Sequence, residues 1–279
     1  MSAAKVELGK RLFADTRLSI TGQYACASCH ESARAFTDGR ALARGATGET
    51  VALNSPTLFN VAYNVSFGWR DAGVRSLEQQ MRGPMFNEHP RELGLAGREA
   101  LVAGALGADP KMVTAFAAAF PGENNPVTME NVIRAIAAYE RTLFAGNTPF
   151  DRYVFAGDHT ALDERQKRGM ALFFSERSGC ARCHGGINFA GEWADREHPQ
   201  AQARFADTGT GVAVRVPTLR NLARTAPYLH DGRAATLEAV LDLYERRAAD
   251  PAADPLLRRA ALTTAERADL RAFLDTLSE

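Results

Sequence analysis

Cysteine is scarce in this chain, four in 279 residues. Neither sign of charge dominates, since 33 basic and 33 acidic side chains cancel. That balance gives no electrostatic reason to expect nucleic acid or an anionic membrane as a partner. No apolar run approaches the length needed to span a bilayer. Met1 to Lys10 lacks the apolar core of a secretory signal. Sustained period-two alternation is missing as well, which leaves little room for half-buried strands. What is present is 46% hydrophobic and 24% charged residues, enough apolar material for one large or two ordinary cores.

All four cysteines fall in two short stretches, Cys26-Ala27-Ser28-Cys29-His30 and Cys180-Ala181-Arg182-Cys183-His184. Each has the form C-x-x-C-H, the attachment signature of a c-type haem. Two thiols three residues apart reach the two vinyl groups of one porphyrin, and the histidine that follows supplies the proximal imidazole. Competing readings are weaker. A zinc site needs the pairs to converge, yet 150 residues lie between Cys29 and Cys180, far beyond finger or ribbon spacing. A thioredoxin-like pair would occur once and would not need the histidine twice. A disulfide framework is out of place in a chain long enough to build ordinary cores. Haems of this type are attached outside the cytoplasm, so the expected location is the periplasm, with the export signal absent from this sequence.

The two halves echo each other. Gly9-Lys-Arg-Leu12-Phe13 precedes the first motif, and Gly169-Met-Ala-Leu172-Phe173 the second. Pro56-Thr-Leu58 returns as Pro217-Thr-Leu219, and Leu77-Glu78 as Leu237-Glu238. The offsets are 160, 161 and 160 residues. A constant offset over separate landmarks points to duplication of one haem domain. Turn formers from Gly146 to Asp158 mark the seam, giving an N-terminal domain at 1–157 and a C-terminal domain at 158–279. Apolar spacing predicts helices over Thr128–Phe144 and Asp163–Ser175. Thr263-x-x-Glu266 is a capping box opening a helix with Leu270, Phe273, Leu274 and Leu277 on one face. The expected fold is mostly α, two tandem cytochrome c-like helical domains around one haem each.

What fills the second axial position of each haem decides between electron transfer and catalysis. Peroxide chemistry needs an acid/base beside an open iron. Glu88, His89 and Glu92 are candidates, and Gln80 is a possible hydrogen-bond donor, although such residues in loops are more often simply solvated. His159 and His198 read as surface side chains, and Trp193 has no assignable role.

With the haem motifs, Asn54-Ser-Pro-Thr57, Trp69, Gln80-x-x-x-Pro84, Glu92-Leu-Gly94, and Pro217-Thr-Leu-Arg-Asn221 through His230-Asp-Gly232, the chain resembles the di-haem cytochrome c peroxidase / MauG family over nearly its whole length. The resemblance implies His30 as proximal ligand of a peroxide-reacting haem and His184 as that of an electron-transfer haem. It implies Gln80 and Glu92 as the distal pair, with Glu92 the acid/base. Trp69 matches the tryptophan that the family places between its haems. Asn54, Thr225 and Pro227 match a calcium site, where oxygen ligands suit a hard cation. Glu92 lies twelve residues after Gln80, further than the usual family spacing, so Glu88 and His89 remain alternatives. The stretch between Phe189 and Val216 is shorter than in most relatives.

Peroxidases of this family carry a distal histidine soon after the first motif, but no histidine occurs from Glu31 to Phe67. Fourteen residues beyond His230 stands Tyr244, where those peroxidases have methionine and MauG-type enzymes tyrosine. Leu237, Val240, Leu241 and Tyr244 also share a helix face, so Tyr244 reads equally as core by periodicity. The resemblance favours Tyr244 as a haem ligand. Axial identity moves haem potentials over roughly 0.8 V, and an anionic oxygen donor stabilises the ferric state where a thioether stabilises the ferrous.

The expected activity is that of an oxidoreductase reacting with hydrogen peroxide at the N-terminal haem, with the C-terminal haem passing or storing electrons. The expected partner is a small cytochrome c or cupredoxin, or a protein substrate in the MauG-like case. The alternative is a non-enzymatic di-haem electron carrier.

Overall fold

A computed structural model describes residues 1–192, 202–208, 211–248, 250–251, 254–257 and 261–279. Trp193 and His198 lie outside these residues. The chain forms two units. One comprises Met1–Ala62 and Arg75–Phe144, the other Tyr63–Val74 and Ala145–Glu279.

The first unit begins with α1 (Ala3–Phe13), whose first turn is capped by the Ser2 hydroxyl accepting from Lys5 N–H. After a long loop carrying the first motif come α2 (Leu77–Phe86), α3 (Glu99–Gly107), α4 (Pro110–Ala119) and α5 (Met129–Glu140). Leu8, Leu12 and Phe13 of α1 are buried, as are Val132, Ile133, Ala135 and Ile136 of α5. The crossing is backbone against backbone. A Cβ at Gly9 would sit 1.9 Å from the Ala135 carbonyl oxygen, so only glycine fits there. Phe13 meets Tyr139 edge-on at 5.3 Å between centroids. Helix α5 ends before the Phe144 expected from spacing, because Thr142 and Leu143 donate to the third residue back and tighten the turn. That leaves the Leu143 carbonyl to accept from Asn60 N–H at 2.8 Å.

The second unit holds α6 (Pro149–Phe155), α7 (Glu164–Phe174), the single turn α8 (Cys180–Cys183), α9 (Leu237–Arg247) and α10 (Thr264–Asp275). Among the described residues it also has one antiparallel pair, β1 (Phe205–Ala206) and β2 (Val214–Arg215). Capping boxes start α6 (Thr148/Asp151), α7 (Asp163/Gln166) and α10 (Thr263/Glu266).

Helices α7 and α10 repeat the α1/α5 crossing within their own unit. A Cβ at Gly169 would sit 1.9 Å from Asp269 O, and Phe173 meets Phe273 at 5.2 Å. The bond from Asn60 to Leu143 recurs as Asn221 N–H to Leu277 O at 2.9 Å. Both asparagines occupy the left-handed region, each at φ 58°.

The units divide at Phe144/Ala145, ahead of the 157/158 boundary expected from the turn formers. Phe150 on α6 packs on Phe189 at 5.1 Å and Phe273 at 5.9 Å. Asp151 receives both prongs of Arg220, at 2.9 and 3.0 Å. Tyr63–Val74 joins this unit through main-chain and amide bonds, Arg215 N–H to Trp69 O at 2.8 Å and Asn188 Nδ2 to Asn64 Oδ1 at 3.1 Å.

Candidate active site

In each unit the histidine of the C-x-x-C-H stretch is held in the same way. His30 Nδ1 is 2.9 Å from the Phe36 carbonyl and His184 Nδ1 is 3.1 Å from that of Phe189. Both carbonyls are presented by residues in the left-handed region, Phe36 at φ 59° and Phe189 at φ 51°. The repeated Pro-Thr-Leu segments brace these turns. Thr57 Oγ1 donates to Ala35 O and Thr218 Oγ1 to Asn188 O, each at 2.6 Å. A ring donating through Nδ1 to a carbonyl is fixed in one tautomer, with the Nε2 lone pair left for a metal. Burial also lowers the pKa of both histidines, countered by the carbonyls of Phe36 and Pro56 in one case and Phe189 and Pro217 in the other.

None of the four cysteines is in a disulfide. Burial, helped by the Glu140 carboxylate, pushes the Cys26 thiol up to about 12. Burial, Asp38 and Glu92 push Cys29 up to about 11. Thioether attachment to a porphyrin needs no standing thiolate. Among the described residues no group of three His, Cys, Asp or Glu is placed to hold a metal ion.

The second unit encloses a cavity of about 270 Å³. Cys180, Cys183 and His184 line it together with Tyr244, Trp69, Arg215 and His230, and Phe173, Leu219, Leu237, Leu241 and Leu270 supply apolar wall. An apolar chamber holding two thiols, a tautomer-fixed histidine and a phenol fits a c-type haem. Burial raises the pKa of Tyr244, aided by Cys183 and Cys180. Periodicity placed Tyr244 on the α9 face with Leu237 and Leu241, and that whole face turns to the cavity.

In the first unit Glu92 is half-buried and burial alone raises its pKa. Main-chain bonds fix its loop: Ala46 N–H to Glu92 O at 2.6 Å, Leu93 N–H to Pro84 O at 2.9 Å and Ile20 N–H to Leu93 O at 2.8 Å. A Cβ at Gly45 would lie 2.0 Å from Arg91 O, so the two loops meet backbone to backbone. Gln80 is exposed on α2, one turn before Pro84. Glu88 and His89 are exposed. Of the three acid/base candidates, Glu92 alone is drawn inward and acts on Cys29.

Trp69 belongs to the second unit and lines its cavity. Asn54, in the first unit, donates through Nδ2 to Arg40 O at 2.7 Å. In the second unit Thr225 donates to Leu222 O at 3.3 Å through Oγ1, and Pro227 follows a cis peptide bond.

Sequence reasoning missed Glu140, a buried carboxyl that acts on Cys26 and is pushed up to about 8, mainly by burial. Glu140-Arg141 reads as a surface pair, but Arg141 forks instead onto Glu78 at 2.8 and 2.7 Å. It also missed the buried charges Asp38 and Arg215 and the buried His230.

A family model described as di-haem cytochrome c peroxidase matches residues 3–160. The methylamine utilization protein MauG of Methylorubrum extorquens is 36% identical over 292 residues, covering 99% of this chain and 79% of that protein. The cytochrome c551 peroxidase of Pseudomonas aeruginosa is 36% identical over 252 residues, covering 85% of this chain and 70% of its own length. The crystal structure of a MauG-like protein associated with microbial copper homeostasis superposes with a TM-score of 0.90 at 34% identity, covering 100% of this chain and 90% of that one. Among the described residues no helix is long and apolar enough to cross a membrane.

Proposed function

Because the chain belongs to the di-haem cytochrome c peroxidase / MauG family, we propose that it is an oxidoreductase reacting with hydrogen peroxide in its first unit and passing or storing electrons in its second. Cys26, Cys29 and His30 hold one c-type haem, and Cys180, Cys183 and His184 hold the other. When bound, the first haem supplies the iron at which peroxide is reduced.

The chain's own residues then manage the protons. The Glu92 carboxylate takes the proton from the peroxide oxygen nearer the iron and returns it to the departing oxygen, general acid–base help worth about 10²–10⁴-fold. Its raised pKa places it closer to neutrality, where taking and giving a proton are better balanced. Gln80 orients the incoming peroxide by hydrogen bonding. Trp69 walls the second pocket and relays or shares oxidising equivalents.

The single observation that carries the MauG-like reading is Tyr244 in the same cavity as His184. Bound through its phenol oxygen to a haem iron held there, Tyr244 would make the second haem a poor acceptor from small cytochromes and a good store for an oxidising equivalent, in service of a protein or small redox partner. Changing Tyr244 to Phe is expected to alter the low-spin ferric spectrum of the second haem. An unaltered spectrum returns Tyr244 to a packing role and removes the MauG-like reading.

The reading also includes one calcium ion, to be tested by metal analysis of the purified holoprotein. The reading places the protein in the periplasm.

A further inference from the structure

Among the described residues two arginines of the second unit are buried, and they are treated differently. Arg220 is 3% exposed and forks onto Asp151 at 2.9 and 3.0 Å. Arg215 is 7% exposed, and among the described residues no carboxylate hydrogen-bonds to it. Among the described residues its Nε finds no hydrogen-bond partner, and its Nη1 makes one long bond, 3.4 Å to Val216 O. Glu192 acts on it only through space, too weakly to offset burial, which lowers the Arg215 pKa. A buried guanidinium left without its partners is destabilising, because its desolvation goes uncompensated. The chain nevertheless fixes Arg215 firmly, with its N–H on Trp69 O at 2.8 Å and its guanidinium carbon 5.9 Å from the Trp69 ring centroid.

Arg215 lines the cavity that contains Cys180, Cys183 and His184. A haem brings two propionate carboxylates into otherwise apolar surroundings, and each needs water or a cation. The missing anion and the incoming anion are complementary in charge and in fork geometry. We propose that Arg215 is the positioning residue of the second pocket, binding a haem propionate through its guanidinium on the wall that Trp69 forms. This inference rests on the second haem occupying that cavity. It makes the Trp69–Arg215 contact a device that sets both the orientation of the haem and the charge beside it.

The test uses the holoprotein and two substitutions, Arg215→Gln and Arg215→Lys. Mass analysis of the peptide carrying Cys180 and Cys183 first establishes whether it bears haem. Spectroelectrochemical titration across the neutral pH range then gives the midpoint potential of the second haem. Loss of the cation lowers the potential by stabilising the ferric state, and it frees the propionate to protonate as pH falls. In Arg215→Gln the potential is therefore expected below wild type at high pH and closing on it at low pH, with Arg215→Lys restoring most of the difference. Glu192, Tyr228, His230, Tyr244 and Glu245 also face this region and are common to both proteins, so the variant-minus-wild-type difference is what is read.

A haem-bearing peptide with unchanged potential and pH profile in Arg215→Gln overturns the inference alone. A wild-type peptide without haem overturns the pocket reading and the inference together. If Arg215→Gln does not mature, the propionate-bending band in resonance Raman spectra of wild type and Arg215→Lys decides. A shifted band supports the contact, and an identical band overturns it.

Discussion

Replacing Gly169 by Ala adds one methyl group where none fits. The new Cβ would lie 1.9 Å from Asp269 O, 2.5 Å from Asp269 C and 2.8 Å from the Phe273 Cβ. Two of those three atoms are backbone, so no rotamer change relieves the clash, and α7 and α10 must part by roughly 1 Å. A gap of about 1 Å forfeits a quarter to a half of the dispersion contact of the atoms it separates. Phe173, Leu270, Phe273 and Leu274 are the buried side chains of this crossing, each worth about 1.5–3 kcal/mol when fully packed. The cost is then about 2–6 kcal/mol, a fall of roughly 5–20 °C in Tm for a unit of this size. Far-UV circular dichroism melts of the holoprotein read it directly. Gly104→Ala is the control, because a Cβ there meets nothing within 4 Å, and in an exposed helix interior it should stabilise by about 0.5–1 kcal/mol. If Gly169→Ala melts like wild type, the close helix crossing described above is wrong.

Glu92→Gln should slow the reaction with peroxide by about 10²–10⁴-fold in stopped-flow measurements and abolish an acid limb that wild type shows above the ordinary carboxylate range; an unchanged rate moves the role elsewhere. Glu140 carries the opposite kind of signature, in stability. Its folded pKa is about 8 against about 4.3 in an unfolded chain, so the folded state binds the extra proton between these values and stability falls as pH rises through that window. Glu140→Gln should flatten that dependence in denaturant titrations and stabilise the protein at pH 7 by no more than roughly 4 kcal/mol, and an unflattened dependence would place its cause at another group.

The helices with strong local signals were legible in the sequence. Thr263-x-x-Glu266 starts α10 as a capping box, and the spacing over Asp163–Ser175 matches α7, with Asp163 and Ser175 as its caps. The landmarks that recur at a constant offset turn out to do equivalent work in each unit: Gly9 and Gly169 at the helix crossing, Thr57 and Thr218 under the histidine turns. Membership of Tyr63–Val74 in the second unit was not legible, because it rests on main-chain bonds at Trp69 and an amide bond at Asn64, which leave no periodic trace. The boundary at Phe144/Ala145 was blurred for a similar reason. Turn formers mark where a chain bends, whereas Phe150 and Asp151 decide which core it joins. Glu140 was invisible because a neighbouring arginine suggested a partner that the fold spends on Glu78. Tyr244 satisfied helix periodicity and pocket lining at once, so pattern alone had no means to separate them.

The loan of residues 63–74 to the second unit has an evolutionary consequence. A duplicated domain ordinarily starts as two cassettes that can be cut apart, shuffled or expressed singly. Here a fragment beginning at Ala145 would lack Trp69 and the carbonyl that fixes the Arg215 main chain, and so would lose one wall of its own cavity. After such an exchange the two copies are no longer interchangeable parts, and selection acts on the chain as one indivisible gene product.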